Sequence, residues 1–183
     1  MDPADELQYA QEKIQENFSN YSAFHHRSNF IKKNSPSIME VLPSEFSIVE
    51  NAIFTEPDDQ SAWWYHQFLL TWATYEIGQL KDAGKGAEAD TLAYWFSDIL
   101  RQQLELVRGL YELEEGCTWV MNCMVAIMDL ILVTPVRPEQ EPEQMIGLSS
   151  LRAERCELLE KLVTVDPNHQ QRYKYLLLNV ANA

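Results

Sequence analysis

Two adjacent imidazoles, His25 and His26, are the first residues in this chain whose chemistry invites attention. Each has a side chain able to ligate a metal or move a proton near neutral pH. On a helix, however, neighbours at i and i+1 point away from each other and cannot close on one ion. A structural or interface role is the expectation for both. Paired carboxylates occur at Asp58-Asp59 and Glu114-Glu115, at turns where acids cap helices and carry solvated charge. No serine sits in a nucleophile elbow. Cys117, Cys123 and Cys156 fit neither a disulfide framework nor a zinc site by spacing. Reduced, partly buried thiols are expected. Gly84-Lys85-Gly86 lacks the Gly-Lys-Ser/Thr ending of a phosphate loop. The residues alone offer no catalytic, cofactor-binding or metal site.

Composition narrows the class. The 183 residues are 46% hydrophobic and 23% charged, enough for one domain with a substantial core. The formal net charge of −14 argues against nucleic acid, whose phosphates require clustered Lys and Arg. No apolar run is long enough for a membrane span: Val120 to Val133 is the richest, and Asn122 and Asp129 break it. The acidic start, Met1 to Glu6, is unlike a signal peptide. A cytoplasmic location is expected.

The elements that must position these residues read as helices throughout. Leu7, Ala10, Ile14 and Phe18 recur at helical spacing, as do Phe46, Val49, Ala52 and Ile53. These two sets belong to a repeat. Ser22-Ala23-Phe24 lies over Ser61-Ala62-Trp63 at a fixed offset (63 − 24 = 39). The same offset lays Glu6 on Glu45, Leu7 on Phe46 and Ile14 on Ile53. Periods of this size mark arrays of helix pairs. Clear repeats are expected at about 5–33 and 44–82, with Pro43 opening the third helix. A degenerate repeat follows at about 100–134, within a helical stretch from Ala87 to Glu115 that is broken at most once. An acidic, Pro-rich mobile loop is expected over 135–147, and closing helices over 149–181. The fold class is all-α: one domain over 1–183, a curved right-handed array of antiparallel helical hairpins.

Within the repeats the aromatic positions are the informative ones. Phe24 and Trp63 start helices after small residues and are expected to anchor each hairpin, burying about 150–250 Å² each. Asn20 and Asp59 precede those helices as N-caps, worth about 1 kcal/mol each. Tyr21, Tyr65 and His66 carry polar tips suited to reaching a second chain. His66 aligns with Arg27, not with another histidine, which argues against a repeated metal site.

The motifs at 20–28 (Asn-Tyr-Ser-Ala-Phe-His-His-Arg-Ser) and 51–66 (Asn-Ala-Ile-Phe-Thr-Glu-Pro-Asp-Asp-Gln-Ser-Ala-Trp-Trp-Tyr-His) resemble consecutive repeats of protein prenyltransferase alpha subunits. The second is especially similar to the Rab geranylgeranyltransferase branch. Glu112 to Trp119 resembles the next, degenerate repeat, and Leu159 to Pro167 with Arg172-Tyr173 resembles the closing helices. The resemblance implies an alpha–alpha crescent around a separate beta subunit, which holds the zinc and most of the lipid-diphosphate site. It implies transfer of geranylgeranyl to C-terminal cysteines of Rab GTPases delivered by an escort protein. The alpha chain would be a non-catalytic subunit without a cofactor of its own. Asn20, Tyr21, Phe24, Arg27, Asp59, Trp63, Tyr65, His66 and Trp119 would serve packing or the subunit interface.

Three departures from the family pattern matter. Phe24 stands where a Trp is usual. Gln67 stands where an Arg is usual, leaving one buried or interface charge absent. Ser19 falls where an earlier repeat carries a diphosphate-approaching Lys. The chain therefore resembles a C-terminal half, and it is expected to be inactive alone. The competing expectation is a tetratricopeptide-like binding adaptor with no part in prenylation.

Overall fold

The computed structural model describes residues 3–34 and 37–179, without the side chains of residues 3, 140–146 and 179. The described residues form eight α-helices and two short 3-10 turns, with no strand. The all-α class follows directly. Two compact units divide the chain, residues 1–89 and 90–183.

The first unit is two hairpins. Helix α1 (Pro3–Glu16) turns back into α2 (Tyr21–Asn34), and α3 (Ile38–Thr55) into α4 (Gln60–Asp82). The apolar faces read from the sequence are the buried ones. Ala10 and Ile14 of α1, and Phe46, Val49, Ala52 and Ile53 of α3, are nearly inaccessible. Phe24 and Ile31 of α2 and Ala62, Leu69 and Leu70 of α4 are likewise buried. Burial of these stripes, rather than intrinsic propensity, holds such short helices. Gly84 stops α4. Its φ of 74° is left-handed, the backbone N–H of Lys85 donates to Leu80 O at 2.9 Å, and that of Gly84 donates to Lys81 O at 3.0 Å. This is a Schellman closure, which favours a residue without Cβ.

Most of the second unit is α5 (Gly86–Leu113, starting in the first unit), α6 (Thr118–Val133), α7 (Glu141–Val165) and α8 (Gln170–Asn179). In α5, Leu92, Phe96, Leu100, Leu104, Val107 and Leu110 are all buried, one stripe at steps of three and four. Polar ties join the helices. Arg108 Nε donates to Glu154 Oε1 at 2.9 Å, Arg155 pairs with Asp129, and Arg137 Nη1 donates to Asp98 Oδ2 at 2.8 Å. At the last turn, Tyr173 donates its hydroxyl to Asp166 Oδ2 at 2.6 Å and accepts from Asn122 Nδ2 at 3.1 Å. Tyr173→Phe is expected to cost about 1.5–3 kcal/mol, the worth of a hydrogen bond to a charged acceptor. Thermal unfolding checks this; an unchanged midpoint would mean solvent satisfies both partners equally well.

Two boundaries differ from the sequence reading. Pro43 lies inside α3, not at its start. It forfeits one ladder bond near the N-terminus, while the adjacent Leu42 is fully buried. Helix α5, read as broken at most once, has no break, because its apolar stripe never loses register. The stretch 135–147 is not one loop: a 3-10 turn occupies Pro138–Gln140 and α7 begins at Glu141. Pro142 is the second residue of α7, where no backbone N–H is required. The expected ends at Asp2 and at 180–181, and residues 35–36 of the first inter-hairpin turn, lie outside the described residues.

Candidate partner interface

The site is built from the junction between the two hairpins. Arg27 of α2 is buried and forks onto Glu45 of α3, with Nε to Oε2 and Nη2 to Oε1 both at 2.6 Å. Its remaining Nη1 donates to Leu7 O at 2.6 Å. Tyr65 of α4 donates to the same Glu45 Oε2 at 2.6 Å. A buried carboxylate is tolerable only when paired and bonded in this way. Burial lowers the Arg27 pKa, but the bonds to Glu45 outweigh it and leave the pKa above its usual value. Tyr65 is pushed well up by burial, then by the Glu45 charge. The hydroxyl therefore remains a donor. The cluster is closed, with both oxygens of Glu45 occupied and the ring of Phe24 against Tyr65 at 5.1 Å. It locks the hairpins and offers no proton to a substrate.

The caps complete the lock. Asn20 Oδ1 accepts from Ala23 N at 3.1 Å, and Asp59 Oδ1 accepts from Ser61 N at 2.7 Å. Across the junction Ser19 Oγ donates to Glu56 Oε2 at 2.6 Å, and Ser61 Oγ donates to Ser19 O at 3.2 Å. Burial raises the Asp59 pKa, but the Ser61 bonds prevail and hold it below its usual value. A depressed folded value means that the stabilisation is full above the unfolded pKa, near 3.8, and is lost as pH falls through the folded value. Asp59→Ala is therefore expected to cost about 1 kcal/mol at neutral pH. The difference from wild type should shrink below pH 4. Urea titrations at pH 7 and pH 3 check this, and a penalty independent of pH would contradict it.

The outward side of α2 and α4 is aromatic. Tyr21 is stacked near His25 at 5.8 Å and meets Trp64 edge-on at 5.1 Å. Trp64 continues to Phe68 and Phe68 to Trp72, each step 6.1 Å between ring centres. Lys32 lies over the ring of Tyr75 at 5.1 Å. Tyr21 and Tyr75 are about half exposed. Such amphipathic aromatics are typical of protein interfaces. Between α1 and α3 runs a groove of about 560 Å³, lined by Gln11, Gln15, Ser47 and Asn51 among others, with Arg27 among its lining residues. Its Asn51 and Thr55 side chains bond their own helix carbonyls, and Arg27 is already committed to Glu45.

Of the residues singled out in the sequence, Asn20, Phe24, Arg27, Asp59, Trp63, Tyr65 and His66 meet at this junction. Trp63 is buried and donates Nε1 to Pro57 O at 2.7 Å. Tyr65 and His66 are fully buried, so of the three polar tips only that of Tyr21 faces outward. His66 packs against Phe46 and Trp63. Gln67 is exposed, so the charge absent there is not a buried one. Trp119 is on α6 in the second unit and 39% exposed. His25 and His26 diverge, His25 toward Trp64 and His26 to Glu6 Oε2 at 2.9 Å. Among the described residues no group of three His, Cys, Asp or Glu is placed to hold a metal, and no helix is long and apolar enough to cross a membrane. Sequence reasoning missed Glu45 and the Trp64–Phe68–Trp72 ladder. The alignment of Glu6 with Glu45 was the available signal for the first, and aromatics four residues apart for the second.

Comparison with known proteins places this geometry. The protein prenyltransferase alpha subunit repeat matches twice, at residues 3–34 and 42–73, in the register of the two hairpins. The chain is similar to the geranylgeranyl transferase type-2 subunit alpha of Schizosaccharomyces pombe, 27% identical over 188 residues, covering 97% of this chain and 50% of that protein. The Dictyostelium discoideum protein of the same name is 30% identical over 146 residues, covering 80% of this chain and 37% of its own length. The Homo sapiens one is 43% identical over 77 residues, covering 37% of this chain and 14% of its own length. The chain thus spans about half the length, or less, of these relatives.

Proposed function

We propose, from a chain that resembles the protein prenyltransferase alpha subunit and carries its repeat twice, that this protein is alpha-subunit material of a Rab geranylgeranyltransferase. Its role is to scaffold a catalytic beta subunit. The beta subunit supplies the zinc and the lipid-diphosphate site, and the complex acts in the cytoplasm on C-terminal cysteines of Rab GTPases brought by an escort protein. The observation that carries the reading is the pair of family repeats in register, locked through Arg27, Glu45 and Tyr65, with an aromatic face on their second helices. The buried lock keeps α2 and α4 side by side. Tyr21, Trp64 and Tyr75 then form a fixed platform whose rings lose little entropy on contact.

The division of labour has a chemical basis. The functional groups at the junction are saturated by one another, and Ser19, which stands at the lysine position of an earlier family repeat, spends its hydroxyl on Glu56. Binding without turnover is the expected behaviour. Mixing the chain with a type-2 beta subunit, escort protein, Rab and labelled geranylgeranyl diphosphate should give association with little or no label transferred. Robust transfer would show that this chain suffices as the alpha partner, and the absence of any association would remove the scaffolding role.

A further inference from the structure

The connector that follows α6 carries a motif that neither the packing nor the aromatic platform uses. The chain holds two Ser/Thr-Pro dipeptides, Ser35-Pro36 and Thr134-Pro135. Only the second has a basic residue two positions after the proline, in Thr134-Pro135-Val136-Arg137. Thr134 is the C-cap of α6, with φ −82° and ψ 125°, the extended conformation that a following proline favours. Its backbone N–H closes the helix on Leu130 O at 2.9 Å. Its hydroxyl is not spent on the fold. The hydroxyls of Thr55, Thr71, Thr74 and Thr164 each donate to a carbonyl one turn back. That of Thr134 has no hydrogen-bond partner among the described residues. Thr134 is partly exposed and Pro135 exposed. The anchors of the connector are Val136, which is buried, and the pair of Arg137 with Asp98 at 2.8 Å, each side chain 38% exposed. A pair so exposed is weak, and a short non-helical connector opens locally at low cost.

We infer that Thr134 is a phosphorylation site for a proline-directed serine/threonine kinase, one that reads proline directly after its acceptor and a basic residue two positions further on. Each part of the connector meets a demand of that reaction. The acceptor must lie extended across the kinase cleft with its hydroxyl free for in-line attack. Proline has no N–H, so it suits a cleft that asks for no donor at that position. Arg137 offers a fixed charge to an acidic site on the kinase. In the step, Thr134 Oγ1 attacks the γ-phosphorus of ATP. The new O–P bond forms as the β–γ bridge breaks, ADP leaves, and the hydroxyl proton passes to the kinase's own base. The product carries nearly two negative charges at the C-terminal end of α6, where the last carbonyls are already the negative end of the helix dipole. The nearest cation along the chain, Arg137, is engaged by Asp98. Phosphate at Thr134 therefore loosens the last turn of α6. This rests on the connector alone, independent of any prenyltransferase role.

The test treats the complete folded chain with a purified cyclin-dependent kinase, its cyclin and magnesium ATP, and locates the product by peptide mass spectrometry. A synthetic peptide of residues 129–141 is run beside it. Phosphate is expected on Thr134 in both. Thr134→Val should abolish that label, and Arg137→Gln should slow it at least about tenfold through the lost charge. Both changes fall on partly exposed side chains, so the fold is retained. In the modified chain the amides at the end of α6 should lose at least about tenfold in hydrogen-exchange protection. Label on the peptide but not on the folded chain, label on neither, or label confined to Ser35 would overturn the inference. So would an Arg137→Gln chain modified as fast as the wild type. Unchanged protection after modification would overturn the loosening assigned to the phosphate.

Discussion

Glu45→Ala is expected to destabilise the first unit by about 3–5 kcal/mol, the cost of leaving one partner of a buried ion pair uncompensated. Arg27 and Glu45 are both nearly inaccessible, and the carboxylate takes three donors at 2.6 Å. Its removal strands a guanidinium and a phenol in an apolar junction. The loss should be much reduced in the double variant Arg27→Met/Glu45→Leu, because apolar replacement of a whole buried pair is often nearly neutral. Chemical denaturation of the three proteins measures this. A cost below about 1 kcal/mol for Glu45→Ala would mean that solvent enters the junction, as at a surface pair.

Trp63→Ala carries an expected cost of similar size, about 3–5 kcal/mol, from the cavity left by a large ring. The residue is 4% exposed and also holds the turn before α4 through its bond to Pro57 O. Trp63→Phe should recover most of the packing, since Phe24 fills the equivalent place in the first hairpin, and lose mainly that hydrogen bond, about 1 kcal/mol. Equilibrium unfolding distinguishes the two. Equal losses for Ala and Phe would show that the bond to the turn, rather than the ring, carries the residue's contribution.

The parts of this molecule that were legible in the sequence are those written in periodicity. The stripes Ala10–Ile14 and Val49–Ala52–Ile53, the caps Asn20 and Asp59, and the anchors Phe24 and Trp63 all follow from spacing and residue type. What was not legible depends on partners distant in the chain. Glu45 follows Ser44 and precedes Phe46 in what looks like an ordinary amphipathic helix, and its burial is decided by Arg27 and Tyr65, 18 and 20 residues away. Tyr65 was read as an outward tip for the same reason: a phenol's direction is set by its acceptor, and that acceptor was unassigned. The stretch around Pro138 and Pro142 was read as a loop because proline and acid mark loops in general. Proline is equally at home in the first turn of a helix, and Pro142 is the second residue of α7. The aromatic ladder was hidden because half-buried Trp64 and Phe68 and buried Trp72 sit among the core residues of α4, and nothing in their spacing separates a ladder from ordinary packing.

The proposed function requires that α2 and α4 present a docking platform for a prenyltransferase beta subunit. Titration calorimetry of the full chain against a purified type-2 beta subunit tests it most directly. A one-to-one complex is predicted for the wild type. The double variant Tyr21→Ala/Tyr75→Ala should bind at least about tenfold more weakly, or about 1.4 kcal/mol, with its thermal midpoint nearly unchanged, since both rings are half exposed. Absence of binding by the wild type, or a double variant that binds as tightly as the wild type, would contradict the account.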